Sequence, residues 1–181
     1  MICHPHPLYG GDMDNPVVIR AAEVAQAVGL ATLRFNFRGV GASEGSHAGG
    51  VGEGDDARAA LATLAERLPA GRPLALGGYS FGAWVAARVA MLEAGGLHAL
   101  CLIAPPLAML DFGFARPVAH TLLVAGSRDT YCSAEALRAL AARLPGAETV
   151  VVDGAEHFFF GKLFPLGAAL EAWARRWTAT S

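Results

Sequence analysis

Five short apolar runs recur along the chain: LATLRFN (30–36), PLALGGY (73–79), LHALCLIA (97–104), AHTLLVAG (119–126) and AETVVVDG (147–154). MIC at the start reads as the tail of a sixth. They are nearly continuous rather than alternating, the pattern of parallel strands covered on both faces. Between them, apolar positions fall at helical spacing. Residues 15–28 open with Asn15 as an N-cap and Pro16 at the first helical position, and close before Gly29. Residues 54–68 carry Asp55 and Asp56 in the first turn, where the helix dipole favours acids, and stop before Pro69. Three more helices are expected over 81–94, over 133–144 with Ser133 as cap, and over 165–177. Strand and helix alternate throughout, which predicts an α/β fold with a doubly wound, mostly parallel sheet. The 181 residues read as a single domain, 1–181.

Ligands of such sheets bind beyond the carboxyl ends of the strands. The chemistry-bearing residues at those positions include His4 to Gly11, Ser80, Asp129 and His157. Ser80 lies in Gly78-Tyr79-Ser80-Phe81-Gly82, a G-x-S-x-G between a strand and a helix. That is the context of a nucleophile elbow, where the serine is held strained and exposed above the sheet. The helix beginning at Phe81 offers an N-terminal N–H to a developing oxyanion. A serine needs a base, and the base an orienting acid. Of the downstream histidines, His98 begins a strand and His120 lies in one, whereas His157 follows the last strand on a loop. Asp129, after the preceding strand, is the best-placed acid; Asp111 and Asp153 are its competitors.

Composition narrows the class further. A formal net charge of −2, with arginines scattered along the chain, argues against nucleic acid as a partner. Three widely spaced cysteines imply no disulfide framework. No signal-peptide pattern opens the sequence, and the apolar stretch ALCLIAPPLAML is short and broken by Pro105 and Pro106. The expectation is a cytoplasmic protein with no membrane partner.

The motifs CHPHPLYGGDMDNPVV, LRFNFRGVGASEG, GGYSFGA, GSRDTYC and GAEHFFFGKL span Cys3 to Leu163. Together they resemble the α/β-hydrolases, in particular a small lid-less bacterial group of predicted hydrolases related to dienelactone hydrolase. The resemblance implies a hydrolase core with no cap domain, a Ser80–Asp129–His157 triad and an ester or thioester substrate. Dienelactone hydrolase uses a cysteine nucleophile, so its lactone chemistry is not carried over. By the same similarity Leu8 N–H is the second oxyanion donor beside Phe81 N–H, with Tyr9 the alternative. Pro5 and Pro7 are excluded because they have no N–H.

Tyr9, Phe112 and Phe114 are the expected substrate-binding side chains, and the short segment PPLAMLDFGFARPV in place of a lid suggests a small acyl group. Two other readings compete. One is a non-catalytic binding or scaffold protein on the same fold. The other is a metallohydrolase using His4 and His6, although Leu8 and Tyr9 stand where an H-x-H-x-D-H motif requires Asp and His. RGVGASEG mimics a dinucleotide fingerprint but does not open directly into a helix, so no cofactor and no metal are expected. Relatives of the group carry an antiparallel strand pair before CHPHP, so these N-terminal strands are expected to be missing. Residues 30–36 would then be an exposed edge through which a homodimer forms.

Overall fold

Helix boundaries fall where capping side chains place them. The computed structural model describes residues 1–93, 96–113 and 115–178. Helix α1 (Pro16–Ala27) starts at Asn15, whose side chain accepts the Val17 N–H at 3.0 Å. Helix α4 (Ala134–Ala142) starts at Ser133, which accepts from Ala136 N–H at 3.1 Å. Helix α2 (Val51–Glu66) begins three residues before its expected start at 54. Its third residue, the buried Glu53, reaches back to the N–H groups of Gly50 (2.6 Å) and Ala48 (2.9 Å). One carboxylate thus turns a glycine-rich stretch that reads as loop into a helix start. Helices α3 (Phe81–Leu92) and α5 (Leu163–Thr178) complete the set.

The strands β1 (Ile2–Cys3), β2 (Leu74–Tyr79), β3 (Leu97–Ile103), β4 (His120–Gly126) and β5 (Glu148–Val152) form one parallel sheet in that order. Helices α1 and α5 cover one face, burying Val17, Val24, Leu170 and Trp177 against the odd members of β3 and β4. Helices α2, α3 and α4 cover the other over Leu76, Leu100 and Leu123. The doubly wound architecture is therefore present, and no cap domain stands over it. Among the described residues no helix is long and apolar enough to cross a membrane.

The expected strand over residues 30–36 does not form. Arg34 makes a single parallel bridge with Ile2, and Ile2 N–H donates to Leu33 O at 3.1 Å. The apolar pattern is right for an edge, but the neighbouring β1 offers only two residues to pair with. Side chains then tie the segment back, with Arg34 to Asp14 at 2.8 Å and Gln26 Nε2 to Thr32 Oγ1 at 2.8 Å. The segment still lies outside β1, whereas the chain returns through α2 to β2 on the other side. The winding reverses at β1, which opens a crevice at the carboxyl ends of β1 and β2.

Into that crevice α3 brings its first turn. A Cβ on Gly82 would lie 2.4 Å from the carbonyl oxygens of both Cys3 and His4, and one on Gly78 would lie 2.0 Å from Gly82 O. Only glycine lets strand, helix and β1 meet this closely. Gly82→Ala is therefore expected to lower stability by about 1–3 kcal/mol or to prevent folding. Gly54→Ala, on the open side of α2 with nothing within 4 Å of the added methyl, should raise stability by about 0.5–1 kcal/mol. Thermal and urea melts of the two variants check both signs.

Candidate active site

Ser80 is the residue at which β2 becomes α3. Its φ of +54° is rare for a side-chain-bearing residue, and its N–H still donates to Ile103 O at 2.9 Å, as a last rung of the sheet. The hydroxyl is thereby turned out of the strand line. Ser80 Oγ lies 2.9 Å from His157 Nε2. On the other side of the ring, His157 Nδ1 lies 2.9 Å from Asp129 Oδ2 and 3.1 Å from Oδ1.

Asp129 is only 5% exposed, and a buried carboxylate is costly unless its lone pairs are used. Here Oδ1 also accepts the N–H groups of Tyr131 (2.8 Å) and Cys132 (2.9 Å). These bonds orient the carboxylate before His157 meets it. The loop carrying His157 is drawn in at Gly126, where a Cβ would lie 2.2 Å from Ala155 O. Tyr79 O–H donates to His157 O at 3.1 Å. Burial, and then the Asp129 charge, push that hydroxyl above its usual pKa, so it stays a donor. Tyr131 meets the His157 ring edge-on at 4.7 Å between centroids, and Phe158 meets it at 5.4 Å.

The other acids and histidines stand elsewhere. Asp111 is exposed and accepts Gly113 N–H, and Asp153 is exposed beside Ser127. The rings of His98 and His120 lie 4.7 Å apart, tilted at 46°, near Trp177 at the opposite end of the strands. A cavity of about 420 Å³ also lies away from the serine, lined by α1, α5 and the start of β2, and touches none of Ser80, Asp129 and His157.

The loop after β1 departs from expectation. Leu8 N–H, expected as a free donor, points back to His6 Nδ1 at 3.2 Å. Tyr9 N–H and Gly11 N–H both donate to His6 O at 3.1 Å, and Gly10 N–H to Pro7 O at 3.3 Å. With Pro5 and Pro7 lacking an N–H, His6 keeps the one N–H of residues 5–11 that has no acceptor among the described residues. Leu8 and Tyr9 side chains are 69% and 81% exposed. The loop's cap consumes the donors that the sequence leaves open, and intraloop bonding is invisible in a residue string. The His6 ring packs at 4.7 Å on the Phe81 ring and at 4.7 Å on His47, whose Nδ1 is 2.8 Å from Glu53 Oε1.

His4 and His6 act as braces. His4 is fully buried; its Nδ1–H donates to Pro5 O at 2.7 Å and its Nε2 accepts Phe37 N–H at 3.0 Å. Three of the four ring nitrogens of the two histidines are thus engaged with backbone groups. Phe112 is 3% exposed and belongs to the core under α3, not to an open pocket wall. Phe114 lies outside the described residues. Phe158 is exposed and meets the His157 ring, and Phe160 is exposed and stacks on Phe158.

No family model matches the sequence. An uncharacterized protein of Rickettsia prowazekii (strain Madrid E) is 37% identical over 169 residues, which are 88% of this chain and 71% of that protein. Among solved structures, an α/β serine hydrolase homologue from Coxiella burnetii is 39% identical, with a TM-score of 0.87 over 94% of this chain and 82% of its own. A protein of Xanthomonas campestris described as an α/β serine hydrolase without lid is 38% identical. Its TM-score is 0.88 over 97% of this chain and 80% of its own.

Burial of His4 holds its pKa below the usual 6.5, and burial followed by the neighbouring His47 does the same for His6. A histidine whose folded pKa is depressed binds fewer protons in the native state than in the unfolded chain. Stability is therefore full above pH 6.5 and declines as pH falls through the window below it. Melting curves between pH 7.5 and 5 should show this decline. His4→Gln, which keeps a neutral donor and acceptor, should flatten it; an unchanged profile would assign the slope elsewhere.

Proposed function

The chain belongs to the α/β-hydrolase superfamily, and from that premise we propose that it is a serine esterase or thioesterase acting through an acyl-enzyme on Ser80. The observation that carries the reading is the unbroken line from Asp129 through His157 to the strained Ser80 hydroxyl, with contacts of 2.9 Å at each side of the ring. Asp129 holds the proton on Nδ1, which leaves Nε2 free to take the Ser80 proton as Oγ attacks the carbonyl carbon. The same Nε2 proton then passes to the departing oxygen or sulfur, and water repeats the sequence to release the acid. With no cap to sheath a long chain, a small acyl group is the proposed acyl part.

The negative oxygen of the tetrahedral intermediate is assigned to two backbone donors. One is Phe81 N–H, at the positive end of the α3 dipole. The second is His6 N–H in place of Leu8, because it alone in its loop has no acceptor among the described residues. The contact between the His6 and Phe81 rings supports this pairing, since it holds the two residues side by side.

A fluorophosphonate should label Ser80, as read by mass spectrometry, and Ser80→Ala should abolish both labelling and ester turnover. Asp129→Asn should lower kcat on the order of 10⁴-fold, as tautomer loss does in serine triads generally. The oxyanion assignment has its own test, because His6 has φ −59°, which proline adopts without strain. His6→Pro removes the N–H and the ring, whereas His6→Ala removes the ring alone. The proline variant should fall roughly 10²–10³ below the alanine variant in kcat. Equal values would return the role to another donor.

A further inference from the structure

Three phenylalanines follow His157, and they part company. Phe159 is fully buried, whereas Phe158 and Phe160 are 52% and 77% exposed. The division is made by Phe159, whose φ of +54° puts a bulky residue in the left-handed region. The turn is tied by Phe159 N–H to Glu156 O (3.1 Å), Phe160 N–H to Glu156 Oε1 (3.0 Å) and Lys162 N–H to Phe159 O (2.9 Å). Its outcome is a pair of rings on the outside, with centroids 5.7 Å apart and planes 28° from parallel. Phe158 stands at 86° to the His157 ring, and Tyr131 meets the same ring at 64°. Hydrophobic burial would select the opposite arrangement, and strained backbone collects at functional sites.

We propose that the Phe158–Phe160 stack, with Tyr131 beside His157, is a docking shelf for the leaving group. The substrates are then esters or thioesters whose alcohol or thiol part is aromatic and broad. The proposal rests on the reading of Ser80 as nucleophile and His157 as base. When the intermediate collapses, the bond from the carbonyl carbon to the leaving oxygen or sulfur breaks. Its electron pair stays on that atom, which takes the proton from His157 Nε2, and the acyl group remains on Ser80 Oγ. The leaving atom must therefore lie within reach of Nε2, so what it carries falls across the residues around His157. The carbonyl oxygen points the other way, towards Phe81 and His6. A flat aromatic group over the shelf gains offset stacking that a short alkyl group cannot make.

The test compares 2-naphthyl acetate with ethyl acetate, which share the acyl group. In Phe160→Ala and Phe158→Ala, the ratio of kcat/KM for the naphthyl over the ethyl ester should fall about tenfold, mainly through KM of the naphthyl ester. Phe160→Trp should restore it. Phe164→Ala removes a ring that is 79% exposed at the start of α5 but outside the stack, and should leave the ratio within twofold. A ratio unchanged in the shelf variants, or reduced equally by Phe164→Ala, overturns the proposal. Binding of 2-naphthol itself, followed by saturation-transfer NMR, separates this from failure of the hydrolase reading. Wild type should bind it and the Phe158→Ala/Phe160→Ala double variant should not, whether or not any ester is turned over. Equal binding by the two overturns the shelf while leaving the fluorophosphonate result to decide the hydrolase reading.

Discussion

Everything at the carboxyl end of this sheet depends on how closely the first turn of α3 presses against the end of β1. The virtual Cβ of Gly82 sits 2.4 Å from two carbonyl oxygens of the Cys3–His4 stretch, so the separation is set by backbone against backbone. That contact fixes the direction in which β2 must bend to enter α3. The bend is what drives Ser80 to a positive φ and turns its hydroxyl out of the sheet. It also brings the N-terminus of α3 beside the loop that carries His6. One steric limit thus brings a hydroxyl and two backbone N–H groups together, and the packing of the His6 ring on Phe81 adds to it.

The polar groups around this contact are satisfied almost wholly by backbone. Asp129 takes two N–H groups from its own loop, His4 bridges Pro5 O and Phe37 N–H, and Glu53 caps the loop before α2. Backbone partners cannot change rotamer, so each side chain is held by an element that is itself fixed. Preorganisation of this kind lets a charge develop without rearrangement. The cost is burial of ionisable groups, and it is why His4 and His6 are held below the ordinary histidine pKa.

Much of this is legible in the residue string because it is local. Continuous apolar runs, an Asn-Pro helix start, and glycines at both ends of G-x-S-x-G are short-range signals, and β2 through β5 form where they point. The chain order of Ser80, Asp129 and His157 is legible too, and the fold carries them to hydrogen-bonding distance. What fails is what depends on a partner. Residues 30–36 have the right composition for a strand, but β1 gives them one bridge. Leu8 has an N–H, but His6 Nδ1 already holds it. Phe112 sits in the segment expected to wall a pocket, yet packs inward. In the run Phe158–Phe160 nothing local announces that the middle residue takes a left-handed turn.

Backbone strain supplies the last step. Among the described residues, the non-glycine positions with positive φ are Ser80, Ala104 and Phe159, at +54°, +45° and +54°. Each follows a strand at its carboxyl end: Ser80 after β2, Ala104 after β3, and Phe159 in the loop after β5. Each conformation costs on the order of 1–3 kcal/mol, a large share of the margin of a domain this size. Random accommodation of strain would scatter it over turns at both ends of the sheet, where the glycines of this chain already absorb positive φ at no such cost. Its concentration at one end means that the geometry there is held against the preference of the chain. Ala104 is buried and its N–H donates to Val124 O at 2.7 Å, so its turn secures the floor between β3 and β4. Ser80 and Phe159 instead direct a hydroxyl and two aromatic rings outward. The two are joined through His157, whose Nε2 lies 2.9 Å from Ser80 Oγ and whose ring meets Phe158 at 5.4 Å.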